Sequence, residues 1–156
     1  MLKSGSAMAK VRIVVDTNVY VSGLLWTGLP HDLLSAAETG HLTLVTTPAI
    51  IEEVREVLAR PKFATRMRML TTSVDELLES LLGIVQIIQE PKVVRVVRAD
   101  PDDDKFIACA VAARVRWLIS GDTHLLSLRR YKSIRIVTPQ QFWTVWGTRL
   151  KSRNNP

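Results

Sequence analysis

Five short apolar runs are spaced along this chain, and helical stretches separate them. Val11–Asp16 (VRIVVD), Leu42–Thr46, Ile84–Ile88, Trp117–Ser120 and Ile134–Val137 are rich in β-branched and aliphatic residues and are bounded by turn or capping residues. Strands this short, alternating with helices, build a parallel sheet covered by helices rather than a hairpin-connected one. The expected architecture is an α/β layer sandwich: a twisted, mainly parallel central sheet of about five strands with helices on both faces.

The helices are marked by their punctuation. Val19–Trp26 and Leu29–Thr39 have helical patterns, and Gly40 is a stop. Thr47-Pro48 supplies an N-cap and a proline at the first helical position, so a helix runs from there to about Arg60, where Pro61 discourages continuation. The basic stretch PKFATRMR follows. Ser73–Glu76 is a capping box for a helix that Gly83 closes, and an alanine-rich helix occupies Asp104–Arg114. Thr138-Pro139 opens a last helix, whose Trp143 and Trp146 read as core or dimer-interface anchors. The expected domain is 10–147, with 1–9 a loose leader and 148–156 a frayed tail; the natural start is Met1 or Met8.

Composition narrows the chemistry. A chain of 156 residues fits one domain, and its longest apolar runs are far too short to span a membrane. MLKSGSAMAK lacks an apolar secretory core, and the single cysteine, Cys109, makes no disulfide framework; both fit the cytoplasm. Cys109 lies among alanines and reads as a small buried hydrophobe. The net charge of +6 favours polyanionic partners. No Gly-x-Gly occurs, which removes dinucleotide fingerprints and phosphate-binding glycine loops, and no Gly-x-Ser-x-Gly elbow occurs either. His31, His41, His124 and Cys109 have no zinc-type spacing. Oxygen chemistry remains.

Two acids fall beyond the carboxyl ends of expected strands, where ligands bind in open parallel sheets: Asp16 and Asp122. Each taken alone reads more readily as a helix cap, Asp16 of the helix after it and Asp122 of Thr123–Leu128. Glu53 falls on the apolar stripe Ala49, Ile50, Val54, Val57 and Leu58 of its helix, where a charge needs a partner; the plain alternative is an ion pair with an arginine. In Asp100-Pro-Asp-Asp-Asp104, periodicity favours Asp104 as the inward acid because it shares a face with Ile107, Ala108, Val111 and Val115. Asp103 stays open. If Asp16, Glu53, Asp104 and Asp122 meet in one pocket, each ionised pair about 5 Å apart repels by about 3 kcal/mol at an effective dielectric near 20. Either some of the acids take up protons or a divalent cation binds, and hard oxygen ligands point to Mg²⁺ or Mn²⁺. Metal-assisted phosphodiester hydrolysis then explains an acidic pocket in a basic chain.

At these residues the sequence resembles the PIN-domain ribonucleases, in particular the VapC-like toxins of prokaryotic toxin–antitoxin systems. The resemblance runs from about Val11 to Val145 and rests on VVDTNVYVSGLL, TPAIIEEVREVLARPKF, DPDDDKFIACAVAARVRWLISGDTHLL and IRIVTPQQF taken in order. It implies a PIN-like three-layer sandwich and Mg²⁺- or Mn²⁺-dependent cleavage of RNA. Asp16, Glu53, Asp104 and Asp122 would be the catalytic and metal-holding acids, with Asn18 and Ser120 as polar supports. Asp100, Asp102 and Asp103 are possible further members. His124 stands where related sequences often carry another acid. The resemblance also implies a homodimer and a cognate antitoxin.

Arg60, Lys62, Arg66 and Arg68 would be nucleic-acid contacts or simply a solvated helical face. Arg129, Arg130 and Lys132 read as solubilising surface. Two competing functions are a catalytically silent PIN module that binds RNA or protein, and a haloacid-dehalogenase-type phosphatase. The latter wants an acid where Asn18 stands and a lysine aimed into the site, whereas Lys105 falls on a different helix face from Asp104.

Overall fold

The computed structural model describes residues 10–92 and 101–154. β1 (Val11–Val15) leads through α1 (Thr17–Leu25) and α2 (Leu29–Glu38) to β2 (Leu42–Thr46). Then come α3 (Pro48–Leu58), a 3₁₀ turn (Pro61–Phe63), α4 (Ala64–Met69), α5 (Val74–Leu82) and β3 (Val85–Ile87). A second 3₁₀ turn (Pro101–Asp103) opens α6 (Asp104–Ala113), followed by β4 (Trp117–Ile119), α7 (Thr123–Leu128), β5 (Arg130–Tyr131), β6 (Ile134–Val137) and α8 (Pro139–Asn154).

The strands form one sheet in the order β3-β2-β1-β4-β6-β5, parallel throughout except for the β5–β6 pair. From β1 the chain steps outward to β2 and β3, then returns to place β4 on β1's other side. Parallel crossovers are right-handed as a rule, so the two opposite directions put helices on both faces, giving a PIN-like three-layer sandwich. The reversal leaves a crevice between the carboxyl ends of β1 and β4.

The sheet has six strands, not about five. The extra strand is a two-residue edge: Arg130 pairs with Arg135 and Tyr131 with Ile134 across a tight turn with Lys132 at φ 53°. PKFATRMR folds into the 3₁₀ turn and α4. The last helix runs on to Asn154, past the residue 147 at which the sequence reading ended the domain, because TRLKSRN contains nothing that breaks a helix.

Local signals explain the element ends. Thr47 Oγ1 accepts the Ile50 N–H and Ser73 Oγ accepts that of Glu76. Thr138 and Gln141 cap each other reciprocally, the Thr138 N–H on Gln141 Oε1 and the Gln141 N–H on Thr138 Oγ1. Gly23 is required by packing: a Cβ there would lie 2.7 Å from Leu34 Cδ1 and 2.8 Å from the Pro30 carbonyl, so α1 and α2 approach at its backbone. Ile13–Val15, Leu44, Val45, Leu118 and Ile119 fill the sheet's share of the core, with Ile107, Cys109 and Ala110 of α6 also buried. Burial pushes the Cys109 thiol up to about 12, so it is inert at neutral pH. Phe142 sits edge-on to Trp117 and stacks on Trp146, which places the aromatic residues of α8 in the core. Among the described residues, no helix is long and apolar enough to cross a membrane.

Candidate active site

The crevice is organised around Asp16. Its N–H donates to the Ile119 carbonyl at 3.0 Å, which locks the end of β1 to the end of β4. Its Oδ1 accepts the Val19 N–H at 2.9 Å and caps α1, while Oδ2 accepts the Ser120 hydroxyl at 2.5 Å and the Gly121 N–H at 3.3 Å. The residue is only 3% exposed. Burial raises its pKa above the ordinary value; the bonds from Ser120, Val19 and Gly121 pull it down without cancelling that, and the charge of Asp122 pushes it further up.

Ser120 ties the two strand-end acids together. While its hydroxyl donates to Asp16, its oxygen accepts the Asp122 N–H at 2.8 Å. Asp122 in turn caps α7 through Oδ2 and the Leu125 N–H at 3.0 Å. Capping and presenting an acid at the crevice are therefore compatible roles: Asp16 and Asp122 do both.

Asp16, Asp122 and Glu53 line one cavity of about 240 Å³, together with Asn18, Asp102, Asp103, Thr17, Val57, Arg60 and Phe106. Glu53 is drawn to one side of it. Thr17 Oγ1 donates to its Oε1, and the Lys105 ammonium sits 2.6 Å from its Oε2. The ion pair foreseen for Glu53 exists, with lysine as the partner. Lys105, set aside by its helix face, does reach the site. Ala49 is exposed rather than part of the buried stripe, its N–H bonded to Glu90 Oε2.

Asp104 is buried, as its place on the apolar face of α6 implies, and the acids before it face the cavity. Asp102 and Asp103 line the cavity, whereas Asp104 does not; it is 5% exposed in the first turn of α6. Asp102 and Asp103 belong to the 3₁₀ turn Pro101–Asp103, and Asp104 is the first residue of α6. Asp100 lies outside the described residues. His124 is exposed and does not line the cavity. Of the four basic residues after α3, only Arg60 lines it. Arg66 donates to the Leu25 carbonyl at 2.7 Å, Arg68 to Thr65 Oγ1 at 3.1 Å, and Lys62 lies over the Phe63 ring.

Among the described residues, no three acid, histidine or cysteine side chains come together closely enough to hold a metal ion. The tight convergence expected from sequence is thus not seen among them, and Glu53 is instead bonded to Lys105 and Thr17. The donor chemistry itself fits a hard divalent cation. Every acid on the cavity offers carboxylate oxygen, and the bonds to buried Asp16 come from a hydroxyl and two amides rather than from a cation.

A PIN-domain family model matches residues 12–124, from β1 into the first turn of α7, and so takes in every acid on the cavity. The chain belongs to the PIN-domain family. It is also 30% identical over 144 residues to an uncharacterized protein of Methanocaldococcus jannaschii, a match covering 85% of this chain and 90% of that protein. PIN domains are generally nucleases. Thr17 and Lys105 were missed from sequence. The signal for Thr17 was its place beside Asp16; for Lys105 it was the reach of a four-carbon arm from the first turn of α6.

Proposed function

We propose that this PIN domain is a metal-dependent ribonuclease that hydrolyses RNA phosphodiester bonds. The observation that carries this reading is the meeting of acids from separated segments on one small cavity at the sheet's switch point. Asp16 is buried there despite the cost of its charge. Asp16 and Asp122 would hold Mg²⁺ or Mn²⁺, with Glu53, Asp102, Asp103 or Asp104 completing the set. The cation would supply a nucleophilic hydroxide and neutralise charge on the phosphate. The protein's own contributions are positional: Ser120 fixes the separation of Asp16 and Asp122, Thr17 and Lys105 orient Glu53, and Arg60 offers a cation to phosphate at the cavity wall. By the same resemblance, the protein would be the cytoplasmic, homodimeric toxin of a toxin–antitoxin pair, inhibited by a cognate antitoxin.

A second reading has a specific observation behind it. Glu53 engaged by Lys105, with no three acids converged among the described residues, suits a silent binding module. One experiment separates the two: single-stranded RNA incubated with Mn²⁺ is cleaved by the wild type and not by Asp16→Asn under the nuclease reading. Equal traces from the two proteins refute it.

A further inference from the structure

The chain is divided in charge in a way its +6 total conceals. All fifteen acids lie at or before Asp122; residues 123–156 contain no Asp or Glu and seven Lys or Arg. This acid-free part of the chain, with Trp117 of β4, lines a groove of about 710 Å³ beside α7, β6 and α8. Its apolar lining comes from Trp117, Leu126, Val137 and Val145, and its charges are those of Arg129 and Arg135, both exposed. Arg135 holds its guanidinium 5.4 Å from the Trp117 ring centroid, a planar cation over an aromatic face. Thr138 and Gln140 add neutral polar groups, and no acid among the described residues lines the groove.

The groove and the carboxylate cavity share no lining residue, but one hydrogen bond and one short helix relate them. The Val137 carbonyl, at the groove, accepts the N–H of Ser120, the residue that bonds Asp16. α7 begins at its cap Asp122, on the cavity, and ends beside Arg129, on the groove; at 1.5 Å per residue its six residues span about 9 Å.

We propose that this groove is a track for single-stranded RNA that leads the strand to the carboxylate cavity, with Arg129 and Arg135 on phosphates and the apolar lining under the bases. The proposal rests on the ribonuclease reading. Charge selects the occupant: a surface with cations, an arginine-capped indole and no described acid is matched to a flexible polyanion with stackable faces. The basic stretch after α3 is less suited, because Arg66 is bonded to the Leu25 carbonyl and Arg68 to Thr65 Oγ1.

The test is fluorescence anisotropy of a labelled twelve-nucleotide oligouridine in EDTA, as a function of salt. Arg129→Gln/Arg135→Gln should bind about tenfold more weakly. It should also flatten the dependence of log K on log salt by about 1.4, as loss of two phosphate contacts to a single strand requires. Gln140→Glu adds an acid in the first turn of α8, where the helix favours it, so it tests the same surface in a protein that keeps its fold. It should bind several-fold more weakly. Mn²⁺-dependent hydrolysis of bis(p-nitrophenyl) phosphate, too small to use the groove, should be equal in all three proteins. Loss of that hydrolysis in the wild type would instead count against the nuclease reading, leaving the binding result to judge the groove. Unchanged oligouridine affinity and salt slope in both variants overturn the track. So does a change from dimer to monomer by light scattering with RNA binding intact, which would make the groove an interface between copies.

Discussion

The cavity and the groove are neighbours built on opposite principles. At the cavity, acids are held by short, directional bonds: Asp16 accepts three donors, Ser120 is used as both donor and acceptor, and Glu53 is gripped from two sides. At the groove, Arg129 and Arg135 are exposed on an apolar surface, and Arg135 lies over the Trp117 ring. Fixed geometry suits bond-breaking at one phosphate, and loosely held cations suit a strand whose sequence varies. On the reading proposed above, one side of the molecule would serve reaction and the other retention.

The sharpest way to break this contrast is Asp16→Asn. RNA cleavage in Mn²⁺ should fall about a thousandfold, a loss of about 4 kcal/mol in the transition state, while oligouridine binding in EDTA stays unchanged. The same change should raise the metal-free melting temperature at pH 7. Asp16 has its pKa raised in the fold, so the native state binds its proton more tightly than the unfolded chain does. The stability associated with that proton is fully present below the ordinary pKa and is lost as pH rises through the folded one. Asparagine escapes that loss. The advantage of the variant should therefore shrink on acidification toward about pH 4, as thermal melts across pH would record.

Ser120→Ala removes the hydroxyl shared by Asp16 and the Asp122 N–H. A cost of about 1–3 kcal/mol is expected from those two groups losing a partner, measured by urea unfolding, with cleavage reduced about tenfold. Lys105→Met frees Glu53 from its ammonium. Mn²⁺ affinity by titration calorimetry should tighten a few-fold, with metal-free stability falling by about 1 kcal/mol or less. Ser73→Ala is the control for the whole comparison, since the capping box of α5 is remote from both regions. It should lower the melting temperature by about 2–4 °C, through about 1 kcal/mol of lost capping, and leave cleavage and binding as they were.

Much of the fold was legible because its signals are local. β2 and β6 have the boundaries that apolar patterning gives, and β1, β3 and β4 differ by a residue at one or both ends. Thr47, Ser73 and Thr138 cap the helices that their sequence contexts announce. What escaped was what local pattern does not encode. β5 is two residues long and turns through Lys132-Ser133, with no Gly or Asn to mark the hairpin. The Asp102–Asp104 run straddles a 3₁₀ turn and the first turn of α6, a boundary that local pattern does not mark. Lys105 was judged by the face its Cα occupies, although a flexible lysine reaches around a helix. The acids at strand ends were readable because sheet topology alone places them. The coupling among them, through Ser120, Thr17 and Lys105, is a matter of tertiary contact.

The brevity of β5 also matters for what the sheet refuses to do. An outer strand normally offers a ladder of open amides and carbonyls on which another chain can template itself. Here that border is two residues long, flanked by Arg129 and Lys132, both at positive φ, so it is too short, too twisted and too cationic to seed sheet-to-sheet growth. A chain nearly half apolar by composition thereby closes one rim of its sheet against its own copies.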